Sequence, residues 1–299
     1  VLKKILLIFF LISQLIAYPQ DTTRTPVNHK KLALIIGVET SLYLGSMAYL
    51  KYIWYKDAKR TPFTFYNDNK GYLQIDKCGH AFGSYLESYI GYHWLRDAGV
   101  KRSHALIFGG TLGLILQTPI EVFDAYYEKW GFSKGDMVAN AAGSAFVIGQ
   151  ELAFREQVFK YKFSFWRSEF AEESNGYLGK NFLQSIFYDY NGHTYWLSTN
   201  INRVILKDKI PSWIAIAAGY SADGMFGEFT NKRKYNGVLL PRHNRTRQFL
   251  LTADIDWTKI KTRNKILKPI LKAMFFIKLP FPAIEINSEG KLKGYWLYF

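Results

Sequence analysis

The chain predicts an α+β protein, a bundle of about four glycine-rich helices followed by a β-rich module. Three observations carry that prediction. Residues 32 to 159 hold helix-length apolar segments broken by Gly, Pro and polar turns, whereas beyond about residue 160 the runs become short, aromatic and β-branched. The charge is lopsided as well: of a net +15, the stretch from Glu228 to Lys272 carries twelve Lys or Arg against three acids. The 299 residues suffice for two modest domains, and the change of grammar near residue 160 divides them. A hydrophobic share of 48% is rich for a soluble chain, while a mean hydropathy of −0.11 excludes a protein of membrane helices throughout.

Lys3 and Lys4 precede an apolar run from Ile5 to Ala17, which gives way to Tyr18-Pro19-Gln20-Asp21. A charged head, short apolar middle and polar break predict a secretory signal peptide over residues 1–20, with an uncleaved N-terminal anchor as the alternative. No cysteine ends the run, so the usual lipid-bearing residue of a lipoprotein is not expected there. Cys78 is the only cysteine, which excludes an intrachain disulfide. Beside Gly79 on an apolar helix it reads as a small packed side chain without a catalytic role.

A helical domain is expected over residues 28–160, after a polar linker that carries Pro26. Leu32–Leu50 is nearly long enough to cross a bilayer, or else forms a buried helix; in either case Glu39 and the small residues Gly37, Ser41, Gly45 and Ser46 predict close helix contact. A second helix is expected from Asp76, whose carboxylate would cap it, to Asp97 before Gly99. A third runs from Lys101 to Trp130, thinned by Gly109, Gly110 and Gly113, and Pro119 should kink it beside Glu121. A fourth starts at Ser133, with Asp136 three positions later as in a capping box, and continues to Phe159.

Residues 161–299 form the second expected domain, a basic β-rich module that contacts membrane or an envelope partner. Tyr195–Ile201, Trp213–Tyr220, Phe249–Trp257 and Leu292–Phe299 read as strands. From Thr252 to Trp257 polar and apolar residues alternate, which predicts one wet face and one apolar face. The aromatic run Tyr295–Phe299 is similar to the last strand of outer-membrane barrels, but too few strands precede it for an ordinary barrel. Lys261, Lys265, Lys268 and Lys272 recur at helical spacing opposite Ile260, Leu267, Leu271 and Met274. They predict a basic amphipathic helix suited to anionic lipid, or a solvated helix on the sheet, with Pro269 weakening the first.

The chemically pointed residues gather between Asp76 and Gly143. Asp76 and His80 share a helical face with Ser84 and Glu87; Glu121 and Asp124, one turn after Gln117, form a second stripe; Asp136, Asn140 and Gly143 form a third. If the stripes face one another, three readings stay open. In a structural one, Asp76 and Asp136 cap helices, His80 bridges carboxylates, Lys77 neutralises one and Asn140 satisfies carbonyls, with no cofactor. In a metal one, His80, Glu121, Asp124 and Asp136 coordinate a divalent ion such as zinc or manganese. In a catalytic one, His80 is poised by Asp76 or Asp136 to activate water, and Glu121 carries a second proton. The phosphate loop, dinucleotide fingerprint, serine elbow and paired zinc cysteines are all missing. His93, His104, His193 and His243 are scattered singles, read as surface or interface residues rather than ligands.

Asp76-Lys77-x-x-His80, Thr118-Pro119-x-Glu121-x-x-Asp124 and Trp130-Gly131-Phe132-Ser133-x-x-Asp136-x-x-x-Asn140-x-x-Gly143 together resemble the YfiM-like family of bacterial envelope proteins, described as periplasmic lipoproteins of unknown function. The likeness covers residues 72 to 155. A looser one joins the VanZ-like membrane proteins, which pair an Asp-Lys-x-x-His opening with a later Asp and Asn helix. The resemblance implies a helical envelope domain with Asp76, Lys77, His80, Glu121, Asp124, Asp136 and Asn140 as signature positions and no established chemistry. An exported protein of the periplasm or outer membrane is therefore expected, membrane-associated and structural or interactional in role. The alternative is a metal- or His/carboxylate-dependent hydrolase of lipid or cell-wall precursors. Expected partners are membrane lipids or lipopolysaccharide and a further envelope protein; an exported chain is not expected to meet nucleic acid.

Overall fold

Helices come first and an antiparallel sheet follows, so the chain is α+β. The computed structural model describes residues 26–202 and 210–299, and the expected signal peptide lies outside the described residues. The described chain divides into two units. One takes the residues up to Tyr66 with Gly83–Glu156, and the other takes Asn67–Phe82 with Gln157–Phe299.

In the helical unit, α1 (His29–Tyr49) starts where the Asn28 side chain accepts from Lys31 N at 2.9 Å, and it runs on as a π turn, Leu50–Trp54. Its two ends are tied down. Lys31 Nζ donates to Asp97 O at 2.9 Å, and beyond the π turn Tyr55 stacks on Tyr127 with centroids 4.3 Å apart. Between the ends the helix is bare: Ile35 is buried, but Leu34, Ile36, Leu42 and Leu44 stand exposed. The alternative of a buried bundle helix is therefore not met, nor is the close helix contact expected through Gly37, Ser41, Gly45 and Ser46: among the described residues a Cβ on Gly37 or Gly45 would meet nothing within 4 Å, and this apolar surface is uncovered.

The other helices of this unit pack through small residues. α2 (Ile75–Asp97) crosses the division between the units, and from Gly83 onward it meets α3 (Leu112–Asp124) and α4 (Lys134–Phe154). A Cβ on Gly113 would lie 2.0 Å from Ser84 O, and one on Gly109 would lie 2.5 Å from Gly91 C, so backbone meets backbone and a side chain would block the contact. The break in the third segment is not at Pro119. It falls at Gly110–Thr111, after the π turn Ala105–Gly109, and α3 continues through Pro119 to Asp124. Two adjacent glycines make that point the weakest in the helix, at about 1 kcal/mol each relative to alanine. Past α3 the chain turns back, and β1 (Phe65–Tyr66) pairs in parallel with β2 (Phe132–Ser133).

In the other unit, β3 (Phe159–Phe165), β4 (His193–Asn200) and β5 (Ile214–Asp223) join β8 (Thr246–Ile255), β9 (Phe281–Asn287) and β10 (Leu292–Tyr298). They form one antiparallel sheet in the order β10-β9-β8-β5-β4-β3. β6 (Lys234–Tyr235) and β7 (Val238–Leu239) make a separate hairpin whose turn, Asn236-Gly237, has positive φ at both residues, as a two-residue hairpin requires. The sheet curls on itself. Tyr298 Oη on the last strand lies 3.3 Å from Thr194 Oγ1, the Phe299 ring sits 4.4 Å from Trp166, and Phe163 bridges in parallel to Ile277 along the outer edge of β3. One core lies inside the curl, at Trp196, Ala217, Leu250 and Ala283. A second lies outside it, where Ile75 and Phe82 of α2 meet Tyr195, Ala222 and Met225.

Three sequence expectations need correction. β3 and β9 are strands that were not anticipated. α4 stops at Arg155, a left-handed cap with φ 57°, without the Gly or Pro that would announce the stop, so the expected helix runs on to Phe159, the first residue of β3. Pro280 and Pro282 disguise β9, yet Pro282 sits at the strand's start, where a missing N–H is tolerated. The expected basic helix is also shorter: α6 spans Leu267–Ala273, after the isolated short helix α5 (Phe182–Tyr188). Asn264 Oδ1 accepts from Ile266 N and Leu267 N at 2.8 and 3.1 Å, which starts α6 late and leaves Pro269 in the first turn. Lys261 and Lys265 precede the helix, and all four lysines are exposed.

Candidate functional site

In the helical unit the polar residues are built around the start of α4. The Ser133 side chain caps the helix, accepting from Asp136 N at 3.0 Å, as the capping-box spacing predicted. Glu121 Oε2 on α3 accepts from Ser133 N at 3.4 Å, so Glu121 reaches the same helix start that Asp136 opens. Both carboxylates are buried. One turn later Asn140 is fully buried, and its side-chain amide has no hydrogen-bond partner among the described residues. Asp124, three positions after Glu121, is held elsewhere by the Tyr55 phenol, which donates to Oδ1.

The next turn of α4 carries a cluster of hydroxyls. Ser144 Oγ lies 3.0 Å from Ser84 Oγ and 2.8 Å from Ser88 Oγ, and Ser84 donates to Asn140 O at 2.6 Å. Gly113 N donates to Ser88 Oγ and Leu114 N to Ser144 Oγ, at 3.0 and 2.9 Å. The first-turn amides of α3 are therefore satisfied by serines of the two neighbouring helices, a buried network that fixes helix position. Among the described residues these hydroxyls bond one another and backbone groups of the three helices. Farther along, Gln117 Nε2 donates to Glu87 Oε2 at 3.2 Å, and burial pushes the Glu87 carboxyl from 4.5 up to about 7.

Asp76, Lys77 and His80 belong to the sheet unit. Asp76 does not cap α2, which already starts at Ile75; its carboxylate accepts from Lys77 Nζ at 3.0 Å and from the Tyr190 phenol at 3.2 Å. Lys77 also reaches Asp68 at 2.8 Å, and ligand atoms of Asp76 and His80 come within 4.8 Å of one another. The capping expectation failed for a backbone reason. Tyr72, Leu73 and Gln74 all have positive φ, at 43°, 51° and 67°, so the chain enters α2 from a left-handed turn rather than an extended cap. That costly conformation is over-determined by its surroundings: Tyr72 N donates to Glu228 O at 2.7 Å, Tyr72 stacks on Tyr190, the Tyr220 phenol holds Leu73 O, and Arg247 donates to Gln74 Oε1 at 2.7 Å. Cys78 is a partly buried free thiol whose pKa burial raises, in line with a packing role.

Several residues that matter here were not singled out in the sequence. Ser88 and Ser144 look like ordinary small residues in apolar helices, and their four-residue spacing from Ser84 and Asn140 was the available signal. Lys162 and Lys278 were not flagged either. Both are buried in the sheet unit against Asp254, at 2.7 and 4.0 Å, and burial draws Lys278 from 10.5 down to about 8. His193, expected near the surface, is buried, with Nε2 2.9 Å from Ile186 O.

A family model described as a predicted periplasmic lipoprotein (DUF2279) matches residues 63–150, a span holding Asp76, Lys77, His80, Glu121, Asp124, Asp136 and Asn140. No curated protein and no solved structure matches the chain. The similarity gives an exported, periplasmic address and a domain of unknown function.

Proposed function

We infer that this exported protein is anchored to a membrane and serves a structural or interaction role in the envelope, in keeping with the YfiM-like and VanZ-like resemblance of its helical segment. The bare apolar surface of α1 carries the reading. His29–Trp54 is a 26-residue helical stretch whose most apolar 18 residues have a mean hydropathy of 1.4 and are 6% buried. About 20 residues suffice to cross a bilayer. Lys30 and Lys31 flank one end, and Tyr49, Tyr52 and Trp54 the other, an arrangement suited to headgroup depth. The serine network then positions the remaining helices, and Lys261, Lys265, Lys268 and Lys272 supply cationic contact with anionic lipid or lipopolysaccharide. Cell fractionation tests this: the full chain should stay in the membrane pellet through an alkaline carbonate wash, and Leu34→Gln, Leu42→Gln and Leu44→Gln together should release it. A wild-type chain extracted by carbonate refutes the anchor.

A second reading keeps the alternative of a metal- or His/carboxylate-dependent hydrolase acting on lipid or cell-wall precursors, with His80, Glu121, Asp124 and Asp136 as ligands or proton carriers. It is favoured by Asn140, whose buried amide calls for a partner that the described residues do not supply. Elemental analysis of purified protein decides it. Stoichiometric zinc or manganese that is lost in His80→Ala and Asp136→Ala supports the hydrolase, and metal-free protein from metal-replete cells removes it.

A further inference from the structure

Although Trp196, Ala217, Leu250 and Ala283 form an apolar core inside the curl, β8 and β9 also turn polar residues inward and apolar ones outward. A half-solvated antiparallel sheet normally turns apolar residues inward and polar ones outward. Along β8 the buried positions include Gln248, Thr252 and Asp254, and the exposed ones are Phe249, Leu251 and Ala253. β9 repeats the pattern with Glu285 buried between exposed Ile284 and Ile286. The charged groups of this interior are paired: Lys162 Nζ meets Asp254 at 2.7 Å, Gln248 donates to Asp223 and Glu285 at 3.0 and 3.1 Å, and Tyr295 donates to Glu285 at 2.5 Å. Such charges are retained inside only because they are paired.

The outward residues form continuous rows across neighbouring strands. Leu197, Ala218, Leu251, Ile284 and Gly294 stand side by side in register, and Phe249, Ile286 and Leu292 form the next row. Leu251 and Ile284 are each 57% exposed and Trp296 is 88% exposed. An apolar surface of this continuity marks an interaction site. The segment joining β8 to β9, at one end of these strands, exposes Ile266, Leu267 and Ile270 among Lys261, Arg263, Lys265, Lys268 and Lys272, which fits anionic headgroups beside hydrocarbon.

We propose that this outer sheet face is seated in the hydrocarbon of one membrane leaflet, with the basic segment before β9 lying at the headgroups. The dimensions select one leaflet over a full crossing. From Phe249 to Ile255 the apolar band is about 20 Å long at roughly 3.3 Å per residue, short of the about 30 Å of a whole hydrocarbon core, and its far end carries the charged turn of Glu289 and Lys291. That charged turn and the free edge of β10 both belong near water, so the strands lie along the leaflet and the face, Trp296 included, turns into it. The proposal deepens the membrane reading and shares its basic segment, but the sheet face is separate from α1, so labels at 251 and 284 and at 42 let the two fail separately.

Environment-sensitive nitrobenzoxadiazole labels on the full chain, in a Cys78→Ser background, test it. Labels are placed through Leu251→Cys, Ile284→Cys, Trp296→Cys, Leu42→Cys and Lys291→Cys, each variant being checked by circular dichroism, and mixed with phosphatidylethanolamine–phosphatidylglycerol vesicles containing spin-labelled lipid. Labels at 251, 284 and 296 should shift to the blue and be quenched by the acyl-chain spin label, while the label at 291 stays aqueous. If the label at 42 enters lipid and those at 251 and 284 remain in water, the inference is overturned and the α1 anchor stands. If 251 and 284 are shielded without lipid and the chain sediments as a dimer, a second copy covers the face and the inference is likewise overturned.

Discussion

Glu87 shows how a single carboxyl reports on its surroundings. Its folded-state pKa is raised by burial from 4.5 to about 7, with the Gln117 amide pulling weakly the other way. A raised carboxyl favours the fold while it is protonated, and that contribution is lost as pH climbs from about 4.5 through 7. The interval corresponds to about 3 kcal/mol at most. Glu87→Gln should therefore raise the melting temperature at pH 8, leave it nearly unchanged at pH 4, and flatten the pH profile between them; equal effects at both pH values would contradict the assignment. At this scale the sequence was partly legible. The Ser133–Asp136 cap was visible because capping is local, governed by residues three apart. The role first given to Asp76 was not recoverable, because it depends on positive φ at Tyr72, Leu73 and Gln74, residue types that give no warning of such a turn.

At the scale of elements, helix contact and sheet pairing are set by different chemistry. Gly113→Ala would force a methyl against Ser84 O and should cost several kcal/mol or prevent folding, as overpacked contacts do. Gly45→Ala meets nothing within 4 Å and should be tolerated or mildly stabilising, by up to about 1 kcal/mol. Thermal melts in detergent of the two variants separate these outcomes. In the sheet unit, Asp254→Ala strands Lys162, and Lys278 beside it, in a buried site; about 3–5 kcal/mol should be lost, as when other buried pairs are broken. The small-residue signal for close helix packing misled on α1, where Gly37 and Gly45 meet nothing within 4 Å, while the glycines that do sit against backbone are Gly109 and Gly113. β3 and β9 could not be read from the sequence, since one follows a helix without a stop signal and the other begins between two prolines.

For the whole molecule, the alternation from Thr252 to Trp257 was plain in the sequence, but its sense was not. Period two says that a strand has two unlike faces; it does not say which faces inward. The buried pairing of Lys162 with Asp254 and the exposure of Leu251 and Ile284 answer that, and both arise from residues distant in sequence. The same holds for α1, whose composition fits a core helix as well as a membrane one until its exposure is known. An α+β order and an exported address followed directly from pattern and motif, because each is written over contiguous residues. The claim that joins these scales is that the apolar surfaces of this protein face lipid. Sedimentation of the purified full chain in a density-matched detergent measures it most directly. The account predicts a particle carrying a substantial mass of bound detergent that aggregates when detergent is withdrawn, and a monodisperse chain that binds none and stays soluble in plain buffer would contradict it.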